Sequence, residues 1–142
     1  MSDSRALLGR LVLPVVVLLG GCSTIIEPAG QSPGPITFGL ALNERTMEVE
    51  QPSTSFRLVD EVAWSASLRA PVEGTKVNIV ISESGGGSWL FGYEQFITDP
   101  ESTRLVNHMT LGRFLPEPGS YVMRYVTLAG DVVAEGEFEL TP

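Results

Sequence analysis

The sequence predicts an all-β chain: an antiparallel β-sandwich of seven or eight short strands, placed after a signal segment and an extended tether. Three observations predict it. Apolar and polar residues alternate at period 2 through several segments, as they do on a strand with one buried face. Fifteen glycines and ten prolines in 142 residues punctuate those segments at roughly 8–12-residue spacing. No segment between them carries a convincing helical period.

The elements follow in order. Ile36, Phe38, Leu40 and Leu42 share one face of a first strand. Met47 to Glu50 is a short edge strand ahead of Pro52, and Ser55 to Leu58 is another short strand, with Phe56 and Leu58 alternating. Glu61 to Ala70 turns Val62, Trp64, Ala66 and Leu68 inward, with Ser65, Ser67 and Arg69 outward. Pro71-Val-Glu-Gly74 reverses the chain, and Thr75 to Ser82 returns with Val77, Ile79 and Ile81 inward. Gly85-Gly86-Gly87 forms a loop before Trp89 to Phe96, whose aromatics alternate at its start. Thr103 to Leu111 is a further strand, ended by a turn around Pro116 and Pro118-Gly119. Tyr121 to Leu128 and Val132 to Leu140 close the chain around a tight Ala129-Gly130-Asp131 hairpin turn. On the last strand Phe138 and Leu140 take one face, and Glu135, Glu137 and Glu139 the other.

Composition excludes several function classes. Nine basic residues stand against 17 acidic ones, a net charge of -8. Such a chain repels phosphate backbones, so nucleic acid is not an expected partner. One Cys allows no internal disulfide and no Cys-rich zinc site, and one His allows no multi-His metal centre. No cofactor is expected.

The N-terminal segment reads as an address. Arg5 and Arg10 precede Leu11 to Leu19, an uncharged apolar run of 9 residues. A spanning helix needs about 20 such residues, so the run is too short for a conventional membrane span. A positive start, a short apolar centre and small residues at its end make a secretory signal. Residues 23–35 contain three prolines and two glycines and read as an extended tether. The expected organisation is a signal peptide over 1–21, Cys22 and the tether over 22–35, and one β domain over 36–142.

Leu19-Gly20-Gly21-Cys22 resembles the lipobox of bacterial lipoproteins: an aliphatic residue, two small residues, then Cys. That resemblance implies a diacylglyceryl group on the Cys22 sulfur and cleavage just before it. Two or three acyl chains, at about 0.8 kcal/mol per buried methylene, hold a protein firmly at a membrane. Ser23, where an inner-membrane-retained lipoprotein tends to carry Asp, implies the outer membrane in a two-membrane envelope. Otherwise the outer face of the cell membrane is implied. Removing residues 1–21 takes away Arg5, Arg10 and Asp3, so the mature chain is one charge more negative.

Two further features resemble immunoglobulin-like and fibronectin type III sandwiches. Leu115-Pro-Glu-Pro-Gly119-Ser-Tyr121 is similar to the tyrosine corner, and Trp64 on an early central strand is similar to the core Trp. The immunoglobulin disulfide pair is absent. The resemblance implies a recognition or assembly module rather than an enzyme, by analogy of fold alone.

The residues themselves offer little catalytic chemistry. His108 is expected to face outward between inward Leu105, Met109 and Leu111, and no Gly-x-Ser-x-Gly elbow accompanies it. The carboxylate groups Glu48 and Glu50, Asp60 and Glu61, and Glu135, Glu137 and Glu139 form no Asp-rich calcium loop. Strand residues i and i+2 point to one side, so the last group is a solvated sheet face. The alternative function is a small envelope hydrolase, or an enzyme accessory, working through surface carboxylates. The Gly85–Gly87 loop lacks the Lys-Ser/Thr and the following helix of a phosphate loop. Trp89, Phe91 and Tyr93 recur at period 2 beyond it, which suits either a core strand or a presented aromatic row. Gly86, Trp89 and Tyr93 are the candidate contact residues for a protein or glycan partner, with Trp89 the ring expected to be exposed. The membrane, through the lipid anchor, is the other expected partner.

Overall fold

The computed structural model describes residues 32–142; the apolar run, Cys22 and most of the tether lie outside the described residues. Nine strands form there: β1 Gly34–Asn43, β2 Glu48–Pro52, β3 Ser55–Arg57, β4 Val62–Ser67, β5 Lys76–Glu83, β6 Phe91–Phe96, β7 Arg104–Met109, β8 Gly119–Val126 and β9 Val132–Thr141. The other regular element is a single 3-10 turn at Leu111–Arg113. The domain is therefore all-β. Its first strand begins two residues before Ile36, and Pro52 sits at the end of β2, where a missing ladder donor is tolerated.

The sheet runs β6-β5-β8-β9-β1-β4-β7, with β2 added to β1 and β3 to β9. It is mixed, which corrects the expectation of a purely antiparallel arrangement. Gly34 and Pro35 pair parallel with Ala134 and Glu135, and Ser55–Arg57 pair parallel with Glu139–Thr141. The cause is the way β1 and β3 share their neighbours. β1 starts beside β9, then pairs antiparallel with β4 from Ile36 to Gly39 and with β2 from Gly39 to Asn43. A parallel pairing between the first and last strands needs no tight connection, because almost the whole chain intervenes.

That handover also explains a departure on β1. Ile36 and Phe38 are buried as expected, but Leu40 is 46% exposed. The β1–β4 ladder ends at the Gly39–Ala63 pair, so from Leu40 onward β1 leaves β4 and pairs with β2 in the β1–β2 hairpin.

Most of the core is built by the alternation seen in the sequence, but Ser65, expected outward on β4, is buried and donates its hydroxyl to the Met47 carbonyl at 3.1 Å. Val62, Trp64 and Ala66 of β4 lie against Val77, Ile79 and Ile81 of β5 and Tyr121, Met123 and Tyr125 of β8, all buried. Phe138 and Leu140 of β9 join them, with the Phe138 ring 5.2 Å from Phe38 and 5.7 Å from Tyr121. Each fully buried large apolar side chain contributes about 1.5–3 kcal/mol. Glu135, Glu137 and Glu139 face solvent, as the alternation requires.

The two terminal strands of the path, β6 and β7, approach each other because the sheet curls. A chain of polar groups fastens them. The fully buried Trp64 donates its indole N–H to the Tyr125 hydroxyl at 2.9 Å. That hydroxyl donates to Gln95 Oε1 at 2.9 Å, which also accepts from Asn107 Nδ2 at 3.2 Å. Gln95 Nε2 donates in turn to the Val106 carbonyl at 3.2 Å. β4, β8, β6 and β7 are thus tied without backbone pairing between β6 and β7. Burial pushes the Tyr125 phenol far above its ordinary range, the Trp64 N–H opposes this, and Tyr93 adds to it.

Candidate functional site

The candidate site lies at the end of the domain opposite the first described residues. Gly34 pairs with Ala134 near the start of β9, whereas Gly119 pairs with Leu140 near its end. Six residues of strand separate those positions, about 20 Å at 3.3 Å each. The β5–β6 loop and the β7–β8 connection sit at the Leu140 end.

The first wall comes from the β5–β6 loop. Gly85, Gly86 and Gly87 have φ of +100°, +109° and +110°, a backbone region that side chains strongly disfavour. This is why three glycines stand in sequence here. Gly86 donates its N–H to the Glu83 carbonyl, and Leu90 donates to the Ile81 carbonyl, so the loop closes back onto β5. Strand β6 then starts only at Phe91, which corrects the expected Trp89 start. Trp89 and Leu90 are left in the loop, 62% and 51% exposed.

The second wall comes from the β7–β8 connection. Phe114 and Leu115 both donate their N–H to the Leu111 carbonyl, closing the 3-10 turn. Leu111 and Leu115 are buried and anchor the segment, while Phe114 between them remains 48% exposed. Gly112 presses against Leu58: a Cβ there would lie 2.0 Å from the Leu58 carbonyl oxygen. The Phe114 ring packs on Phe91 with centroids 4.7 Å apart, joining the two walls.

Between the walls is a cleft of about 310 Å³ lined by Glu83, Leu90, Phe114, Pro116, Glu117 and Tyr121 among others. Tyr121 is buried with its ring against Phe138, and its hydroxyl donates to the Glu117 carbonyl at 2.5 Å. Loss of water raises the Tyr121 phenol above its ordinary pKa, and the nearby Glu83 and Glu117 charges raise it further. Both carboxylates therefore act on the same hydroxyl. Among the described residues neither has a Lys, Arg or His partner within 4 Å.

The residues singled out from sequence are distributed unevenly around this cleft. Gly86 and Trp89 belong to the β5–β6 loop beside the cleft, but of that loop it is Leu90 that lines it. Tyr93 pairs with Ile79 on the inward register of β6, 42% exposed at the sheet edge, and does not line the cleft. Phe91 shares that inward register and is half-buried against the core. Cys22 lies outside the described residues. Leu90, Phe114, Glu83 and Glu117 carry no sequence signal as a group, because they come from two loops more than twenty residues apart.

The remaining chemistry is dispersed. His108 is exposed, and its Nδ1 lies 3.4 Å from the equally exposed Glu61 carboxylate. Glu135 pairs with Arg124 at 2.6 Å, and Glu137 and Glu139 accept from the Ser84 and Ser55 hydroxyls. Among the described residues no three His, Cys, Asp or Glu side chains gather at one point. Also among them, no helix is long and apolar enough to cross a membrane. No protein-family model matches the chain, and comparison with curated proteins gives no significant match.

Proposed function

We propose that this chain is a lipid-anchored protein of the cell envelope whose β domain is a non-enzymatic binding module of the immunoglobulin-like sandwich type. The observation that carries the binding reading is the apolar rim: Leu90 and Phe114, each about half exposed, line one cleft from two loops, and the more exposed Trp89 directly precedes Leu90 on the first of them. Exposed large apolar groups gathered at one place mark interaction sites far more often than scattered single ones do. Loops held by a rigid β scaffold are where recognition is usually built.

The anchoring half of the reading is supported by Leu19-Gly20-Gly21-Cys22 at the end of a short apolar run. In a two-membrane envelope, Ser23 rather than Asp after the Cys favours the outer membrane, facing the periplasm. The sandwich half is supported by Tyr121, whose hydroxyl reaches back to Glu117, and by the buried Trp64. The rim lies at the pole away from Ser32, which suits a site presented outward from a tether.

The test uses the full chain expressed in its own envelope. Mass spectrometry of the membrane fraction should find a diacylated N-terminal Cys22, and Cys22→Ser should release the protein from membranes. Cross-linking before detergent extraction should join the chain to a specific partner, and Trp89→Ala with Phe114→Ala should abolish that product while the domain remains folded. Turnover in a broad hydrolase screen, abolished by one Glu→Gln change, would reverse the non-enzymatic reading.

A further inference from the structure

We propose that the cleft between the β5–β6 loop and the β7–β8 connection docks a basic segment of a protein partner, an Arg or Lys flanked by apolar residues. The inference rests on the binding-module reading and specifies the chemistry of its ligand.

The walls define what fits. Leu90, Phe114 and Pro116 provide apolar surface, and Glu83 and Glu117 provide two carboxylates. A carboxylate is an acceptor only. The one hydroxyl in the cleft, on Tyr121, already spends its proton on the Glu117 carbonyl. The cleft thus offers acceptors and apolar contact, with its hydroxyl donor already occupied. An Arg or Lys side chain is the complement: an aliphatic stem that lies along apolar surface and a head that only donates. The exposed Phe114 ring adds a face on which a guanidinium can stack.

The other occupants match less well. A glycan presents hydroxyls that both donate and accept, and the cleft leaves its acceptors facing more acceptors. An anionic lipid surface is repelled by Glu83 and Glu117, and the cleft is at the pole away from Ser32. A second copy brings the same strongly negative net charge, so like charge opposes self-association through this face.

Charge also sets how the partner arrives. Carboxylates at a partly exposed cleft steer a basic partner into encounter and set its register more than they add affinity. The apolar rim then holds it. Two partly exposed ion pairs correspond to roughly tenfold in affinity when both form.

The experiment uses the full chain in detergent micelles and reads the emission of Trp89. Trp64 is fully buried and supplies a constant background, whereas Trp89 is 62% exposed and reports on the rim. The probes are an acetylated, amidated Leu-Arg-Leu-Lys-Leu peptide, its Leu-Glu-Leu-Gln-Leu counterpart, and a four-unit β-1,4-linked N-acetylglucosamine oligomer. The expected result is a blue shift with the basic peptide and about tenfold weaker binding of the acidic one. Glu83→Gln with Glu117→Gln should remove that preference, and Glu135→Gln with Glu137→Gln should leave it intact. Equal binding of both peptides, a preference that survives the cleft variant, or a response to the oligosaccharide alone would each overturn the inference. Concentration-dependent dimerisation lost on Phe114→Ala would also overturn it, in favour of a second copy. The native cross-link separates the two levels of the argument. If its yield is undiminished in the cleft carboxylate variant but lost in Trp89→Ala with Phe114→Ala, the basic-segment inference fails and the binding module stands. If it survives both variants, both readings fail.

Discussion

Removing the Tyr125 hydroxyl tests how the curled sheet is held shut. Tyr125 and Trp64 are both fully buried, and the hydroxyl accepts from Trp64 Nε1 and donates to Gln95 Oε1, each at 2.9 Å. Tyr125→Phe keeps the ring and its packing but leaves the Trp64 N–H without an acceptor. A buried donor stranded in this way costs about 1–3 kcal/mol. The bond to Gln95 is worth about 0.5–1.5 kcal/mol, part of which survives because Asn107 still holds the same oxygen. The expected loss is about 2–3 kcal/mol. For a domain of slightly more than 100 residues this lowers Tm by about 8–12 °C, at about 4 °C per kcal/mol. The assay is urea unfolding followed by tryptophan emission, with an unchanged slope and a lower midpoint. Tyr93→Phe, at a ring 42% exposed on the same sheet, is the control and should change stability by less than about 0.5 kcal/mol. A Tyr125→Phe loss below about 0.5 kcal/mol would refute the argument. It would mean that Trp64 finds water or another acceptor and that the polar chain does not fasten β6 to β7.

Other outcomes follow from the same fold. Stability should fall as pH rises above about 10, because the unfolded chain releases the Tyr125 proton there and the folded chain retains it to higher pH; the slope is about 1.4 kcal/mol per pH unit for that one proton and should be smaller in Tyr125→Phe, measured by unfolding at alkaline pH. Gly136→Ala should cost about 1–3 kcal/mol by denaturation, since its Cβ would lie 2.9 Å from Ile36 Cβ and Phe38 Cε2 in a packed core. Gly86→Ala should destabilise modestly, because its φ of +109° strains any side chain although the space around it is open. Trp89→Ala should change thermal stability by no more than about 1 kcal/mol, as expected for a ring 62% exposed; a loss of several kcal/mol would make Trp89 a core residue and remove it from the proposed rim.

Much of the domain was determined by sequence alone, for a local reason. Period-2 alternation places Val62, Trp64 and Ala66, or Val77, Ile79 and Ile81, on one face whatever strand lies beside them, so burial at these positions was legible. The same holds for the outward Glu135, Glu137 and Glu139, and for the turn at Gly130, whose φ is +99°. Tertiary structure decided what depends on neighbours. Whether β1 and β3 run parallel to β9 is a matter of pairing across almost the full chain, and no residue in either strand encodes direction. Leu40 followed its alternation correctly and still became exposed, because the β1–β4 ladder ends one residue before it. Gln95 looked like one polar residue in an aromatic segment, and only the curl that brings β6 to β7 made it a clasp. The cleft was the least legible feature of all. Three consecutive glycines followed by Trp89 mark one of the two loops in sequence. Phe114, Glu83 and Glu117 become a site only when the Phe91–Phe114 contact joins two loops, and such a contact is set by packing in three dimensions rather than by any spacing along the chain.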